Sequence, residues 1–472
     1  MNRTINILLL LLLGALTGCT DSAWNHEPID DNEPTRTVVD ICSPDAWSLA
    51  SVPADPALFP ESSLSNDVAY GKNRALLAWY TVDRVFTKSG SPLFTDQVNL
   101  DALSYPYARE VAISEVYPGH PLNYNESSVM PTLILSFYPN ERGPYNLDGT
   151  NVDQDGHLLY PEKRWGGIMR KIDNTNLEQS NIEYIQFWLL DPFMDPELNN
   201  QDGGYLYITL GDVSEDILKD DFMSYENGLP PDGSTAYVTN TVWGKVSTLH
   251  AATYAFDNGK GLRLLQDVGL DGLTNQEELA HPTYVNYLNE LCEVLPSSTI
   301  VDMLANPFSP FNDPAGDNYV YYLNYGYDIH SLKINDLYKY YNGLEGNSLT
   351  QDDAGDVQYE MARSTPDVED INQDYMLNKD ERFFQYRIAI HPDSLQVGMN
   401  YITDMERAQV HLRNGGLQYA TWYQFTIPLH DYQKKIGSIQ NFSNIRFIRM
   451  FMTGFKGTTH LRFATLELAE GE

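Results

Sequence analysis

The densest run of chemically capable side chains lies between residues 370 and 381. Asp370, Asn372, Asp374, Asn378 and Glu381 stand at positions 1, 3, 5, 9 and 12 of a twelve-residue stretch, with Met376 at position 7. Oxygen donors at this spacing can wrap a hard cation that takes about six to eight oxygens, and Ca²⁺ is the ion they suit, with Met376 offering its carbonyl. Tyr375 occupies the sixth position, where such a loop takes Gly for its turn. Two weaker versions exist. Asn151-Val-Asp153-Gln-Asp155-Gly156 ends with Glu162, and Asp267-Val-Gly269-Leu-Asp271-Gly272 ends with Glu278 but has no side-chain oxygen at Gly269. Asp, Asn and Gly clusters also build ordinary turns, so a structural Ca²⁺ clip and an Asx turn are both open for the Asp370 run.

Catalytic patterns are missing from the sequence. There is no Gly-x-Ser-x-Gly nucleophile elbow, no His-Glu-x-x-His, no phosphate loop and no Gly-x-Gly-x-x-Gly turn. Asn146-Leu-Asp148-Gly-Thr150 reads as a loop, because no apolar strand precedes it. With 65 Asp+Glu in the chain, some carboxylate pairs will mimic a glycosidase dyad by number alone. His250, His411 and His460 lack ligand spacing and read as structural or solvated. Trp165, Trp188 and Trp422 could stack on a sugar, and Trp165 before Gly166-Gly167 could be exposed, but core packing is the expected role of Trp188 and core or edge packing outranks ligand stacking. The chain is therefore read as not an enzyme.

The elements that would position these residues are mainly strands. Leu133, Leu135 and Phe137 alternate with Ile134, Ser136 and Tyr138; Ile185, Phe187 and Leu189 alternate with Tyr184, Trp188 and Leu190. Apolar residues on both faces place the second strand at the centre of a sheet covered on both sides. Tyr205–Leu210, Tyr423–Leu429, Ile445–Met452 and Leu461–Leu468 repeat the pattern. Between them, Tyr284, Leu288, Leu291, Cys292 and Leu295 follow helical spacing, which predicts a helix near 283–296 with Cys292 on its apolar side. The fold class expected is mainly β: a jelly-roll-like β-sandwich split into 61–210 and 366–472 by an inserted mixed helical and irregular region, 211–365.

The N-terminus sets the address. Arg3 precedes an aliphatic run from Ile5 to Leu13, too short to remain as a membrane span, and Leu16-Thr17-Gly18-Cys19 closes it. This ending resembles the lipobox of bacterial lipoproteins, which implies that residues 1–18 are a signal peptide and that Cys19 carries a diacylglycerol. Residues 19–60, with several acids and prolines and little periodicity, are expected to be an acidic flexible tether. The formal net charge of −35 disfavours nucleic acid as a partner and electrostatic docking on anionic lipid, leaving the lipid anchor as the membrane contact. Three cysteines rule out a disulfide framework; Cys42 and Cys292 could pair or stay free.

Several strings resemble one family: Ala69-Tyr-Gly-Lys-Asn-Arg-Ala75, Glu141-Arg-Gly-Pro-Tyr145, Arg164-Trp-Gly-Gly-Ile-Met-Arg170, Ile182-Glu-Tyr-Ile-Gln-Phe-Trp188 with Asp191-Pro-Phe193, Gly211-Asp-Val-Ser-Glu-Asp-Ile217, Asp267–Leu273, and Arg446-Phe-Ile-Arg-Met-Phe451 leading to Thr453-Gly-Phe455. They are similar to the N-terminal domain of SprA, the gliding-motility protein and outer-membrane translocon of type IX secretion. The similarity runs from about residue 65 to the C-terminus. It implies a place in the cell envelope, at the outer membrane on its periplasmic or surface side, and secretion or motility proteins as partners, with no catalytic residues to carry over. The chain departs from the long members in being too short for their barrel and in carrying a lipobox. The rival expectation is a surface lipoprotein that binds glycans through its jelly roll.

Overall fold

The computed structural model describes residues 38–88, 99–122, 127–249, 253–323, 333–346 and 365–471. The signal segment, Cys19 and His250 lie outside the described residues.

Two antiparallel sheets form the body. The strands are β1 (Val38–Asp40), β2 (Ser48–Leu49), β3 (Ala75–Tyr80), β4 (Leu133–Arg142), β5 (Trp165–Lys171), β6 (Ile182–Leu190), β7 (Gly204–Asp212), β8 (Arg382–Ile390), β9 (Ile402–His411), β10 (Leu417–Pro428), β11 (Lys434–Ile436), β12 (Phe447–Thr453) and β13 (Thr459–Glu470). The seven-stranded sheet runs β9-β10-β6-β13-β4-β3, with β1 also paired to β13. The six-stranded sheet runs β11-β8-β7-β12-β5-β2. Their inward side chains share one hydrophobic core: Leu135, Phe137, Phe187, Phe425 and Phe463 from the first sheet meet Ile168, Ile208, Ile388 and Met450 from the second. The fold is thus the mainly β sandwich that strand alternation predicts.

Cross-strand aromatic pairs help set the register. Phe187 lies opposite Phe425 and their rings stack at 4.7 Å; Tyr207 lies opposite Phe451, also stacked at 4.7 Å. A one-residue slip would send each ring to the other face.

The doubly apolar β6 is central, between β10 and β13. Its outer face is also covered. Trp188 and Leu190 pack with Tyr107, Val111, Ile113 and Val116, which belong to the segment between β3 and β4. Beside them, Tyr80 and Ile134 meet Phe86, Tyr322 and Tyr338. Tyr338 stacks on Tyr80 at 4.2 Å, so Tyr321, Tyr322, Tyr338 and Tyr341 cover the outside of the seven-stranded sheet there.

Residues 213–381 leave the sandwich between neighbouring strands, since Asp212 of β7 pairs with Arg382 of β8. This insert holds α1 (Pro282–Val294) and α2 (Ser297–Ala305), and the rest of its described part is largely irregular. It shares the sandwich core through Trp243, Leu270, Tyr284, Tyr287 and Leu291. No helix of the described residues is long and apolar enough to cross a membrane.

Two expectations are corrected. The tether cannot extend to residue 60: β1 pairs with β13, and Ile41, Trp47, Leu49, Ala50, Val52 and Phe59 are in the core. Its strands are two and three residues long, which is too short for alternation to register. Cys292 is exposed, because the buried stripe of α1 runs through Tyr284, Tyr287 and Leu291. Cys42 and Cys292 are both free thiols.

Candidate functional site

The insert has few ladders to satisfy its backbone, and carboxylates take their place. Glu369 accepts from the N–H groups of Ile217 (2.7 Å), Leu218 (3.2 Å) and Ser224 (2.9 Å). Glu226 accepts from Val268 (3.1 Å), Gly269 (2.8 Å) and Asp367. Glu215 accepts from Ile371 (2.7 Å) and Asn378 (3.1 Å). Each acid binds backbone donors that are otherwise costly to bury, with the extra strength of a charged acceptor. Burial opposes ionisation in return. It holds Glu369 and Glu226 well above the usual carboxylate range and pushes Glu215 up to about 7.

One group differs. Asp271, Glu278 and Asp317 each bring a carboxylate oxygen within 4.8 Å of the other two, and all three are buried. Asp271 sits in the turn before the helical turn Asn275–Glu278, which begins with a Thr274–Glu277 capping box. Asp317 comes from the far side of α1 and α2. Gly269 explains the approach. With φ at +73° to +75°, Gly269 and Gly272 shape the loop, and a Cβ on Gly269 would fall 2.1 Å from Asp317 Oδ2. The carboxylate of Asp317 therefore fills the space of the side chain that Gly269 lacks.

Hydrogen bonds satisfy only part of this group. Asp271 accepts from Leu273 N–H (2.9 Å) and the Tyr284 hydroxyl. Glu278 Oε2 accepts from Ala315 N–H (2.8 Å), and Asp317 Oδ2 from the Tyr145 hydroxyl (2.8 Å). Glu278 Oε1, Asp317 Oδ1 and the neighbouring Glu345 Oε2 have no hydrogen-bond partner among the described residues. Arg142, the nearby cation, donates instead to the carbonyls of Pro314 (2.6 Å) and Asp313. Burial first, then mutual repulsion, holds Glu278 and Asp317 well above the usual range; burial pushes Asp271 up to about 7 and Glu345 up to about 9.

The Asp370 run is arranged differently from the expected calcium loop. Glu381, its position-12 residue, forms a two-pronged ion pair with fully buried Arg449, both bonds 2.9 Å, and also accepts from Ser214 N–H. The guanidinium and the Ser214 N–H thus engage both oxygens of this carboxylate. Asp370 accepts from Asp374 N–H (3.0 Å), Tyr375 N–H (2.9 Å) and the Tyr254 hydroxyl. Asn372 and Asp374 bond to each other, Asp374 caps Met376 N–H, and Met376 is exposed. Asn378 donates to the Val213 carbonyl (2.6 Å) and accepts from Arg446 (2.9 Å). Tyr375 adopts the left-handed turn itself, at φ +63°. The run is a hydrogen-bonded turn fastened to the sandwich, the alternative that Asp/Asn chemistry left open. Asp153, Asp155 and His157 form an exposed cluster in which Asp153 caps the N–H groups of Asp155 and His157.

Trp165, Trp188 and Trp422 are all buried, so they offer no sugar platform. Trp165 packs between Phe59 and Phe451, with Arg74 over its ring at 5.4 Å. His460 is buried beside Ser136, 2.7 Å away, and burial depresses it to about 3. The convergence of Asp271, Glu278 and Asp317 escaped sequence reasoning because Asp317 joins only through the fold. The Asp267–Glu278 spacing was the visible signal.

Fold and site define an antiparallel β-sandwich carrying an acid-fastened insert. Residues 284–472 match the SprA_N family model, described as a motility related/secretion protein. The chain thus resembles the SprA N-terminal domain over a segment that holds α1 from its third residue, all of α2, and β8–β13. The similar strings between residues 69 and 273 precede the matched segment. No curated protein matches the chain.

Proposed function

We propose that this chain is a non-catalytic, lipid-anchored accessory or binding component of outer-membrane type IX secretion and gliding-motility machinery. The observation that carries the reading is the match of residues 284–472 to a motility and secretion domain. The lipobox at Leu16–Cys19 supports the anchor, and the acidic balance leaves the acyl chains to hold the protein at the membrane. The carboxylates with the most perturbed ionisation are enclosed in the insert, and Glu369, Glu226 and Glu278 are bonded to backbone N–H groups, which favours a structural role over acid–base work.

The test is affinity capture from crosslinked membranes with the full chain. Translocon or motility components should be recovered with wild type, and fewer with Cys19→Ala, which should also release the protein from membranes. Recovery of none from a normally abundant, membrane-bound protein would refute the reading. Mass spectrometry of the mature N-terminus should find the diacylglycerol on Cys19.

A further inference from the structure

We propose that Asp271, Glu278 and Asp317 bind one Ca²⁺ ion that fastens the insert onto itself. Three carboxylates meet within 4.8 Å, and no Lys, Arg or His forms an ion pair with them among the described residues. Two of them carry a buried oxygen, Glu278 Oε1 and Asp317 Oδ1, that no hydrogen bond among the described residues engages. An unpaired buried carboxylate is among the most expensive groups a fold can carry, and three together are stable only if protonated or neutralised by a cation.

The donor set selects the ion. All-oxygen ligands suit hard cations, and an enclosed carboxylate cage suits Ca²⁺ over Mg²⁺, which keeps several waters and demands a tighter octahedron. The loop spacing agrees: Asp267, Asp271 and Glu278 stand at positions 1, 5 and 12 of the run, and Asp317 fills the space at position 3. Glu345 flanks the site with a further free oxygen, and Asp313 adds negative charge while its own oxygens cap Gly316, Asp317 and Asn318 N–H groups. The ion would tie residues 271–278 to residue 317 across both helices, a function of the kind that ladders perform in the sandwich. This inference is independent of the secretion reading.

The experiment uses the full soluble chain from Thr20, Asp317→Asn, and Glu381→Gln as a control in the Asp370 turn. Bound metal is counted by mass spectrometry after dialysis against trace calcium, and melting is followed in 1 mM CaCl₂, 1 mM MgCl₂ and EGTA at pH 7.5. Wild type should carry one calcium per chain and melt several degrees higher in calcium than in EGTA; Glu381→Gln should keep both responses. Asparagine at 317 can still accept from Tyr145 while losing its charge. Asp317→Asn should therefore melt above wild type in EGTA and lose the calcium response, a crossing that loss of packing alone would not give. If Asp317→Asn does not fold, the wild-type arms decide. Wild type that holds no calcium and melts identically in calcium and EGTA overturns the proposal. So does an equal response to magnesium, or a calcium response lost in Glu381→Gln and kept in Asp317→Asn.

Discussion

Arg449→Met tests whether the Asp370 turn is held by an ion pair. Arg449 is 0 % exposed and makes two 2.9 Å bonds to Glu381, whose side chain is 11 % exposed. It also donates to Ser51 Oγ and lies over the Phe383 ring. Methionine replaces the aliphatic volume and removes the charge, leaving the partly buried Glu381 with Ser214 N–H as its remaining donor in the site. Breaking a buried pair from one side costs about 3–5 kcal/mol, because the surviving charge loses its partner while staying out of water. Glu381→Gln strands the guanidinium instead and should cost a similar amount. The double variant should cost less than the sum, with a coupling of roughly 1–3 kcal/mol, since neither charge remains. Chemical denaturation of the four proteins measures this directly. A cost below about 1 kcal/mol for Arg449→Met, or full additivity, would mean that Glu381 is not committed to Arg449 and would return it to the calcium loop.

Phe59→Ala should cost about 3–5 kcal/mol in the same assay, because Phe59 is buried between Trp165 and Phe451 at 5.5 Å from each; an unchanged midpoint would restore the tether through residue 60. In EGTA, stability should fall as pH climbs from about 4 to 7. Asp271 and Glu215, raised to about 7, and Asp220, raised to about 6, keep protons in the fold that the unfolded chain has already released. Against opposing burial, Asp55 is depressed by Lys434, and Asp148 by the Asn151 N–H and then Arg164; both act in the other direction, losing stability only below about pH 4. Denaturation across this range checks the sign: a steady rise from pH 5 to 8 in EGTA would contradict it. In the native protein, a thiol reagent should label Cys292 faster than Cys42, since Cys292 is exposed while Cys42 is partly buried against the core and desolvation raises its thiol far above its ordinary value; equal labelling rates, read by mass spectrometry, would contradict that packing of residue 42.

Period-two alternation alone determined most of the sandwich. Leu133–Phe137, Ile185–Leu190 and Tyr423–Leu429 announce strands because each side chain's face follows from its parity, and the doubly apolar Ile185–Leu190 run announced its central place. The same logic failed for residues 38–60, where Trp47, Leu49 and Phe59 are buried from short, irregular pieces with no period to read. At the acid-rich sites, the sequence supplied donor types and loop spacing but not neighbours. It ranked the Asp370 run above the Asp267 run because Gly269 carries no oxygen. Two long-range contacts that local spacing does not show distinguish the two runs in the fold. Arg449, 68 residues away, occupies Glu381, and Asp317 fills the space above Gly269. A carboxylate's role depends on what meets it after burial, a cation, a backbone N–H or another carboxylate, and local spacing does not encode that choice.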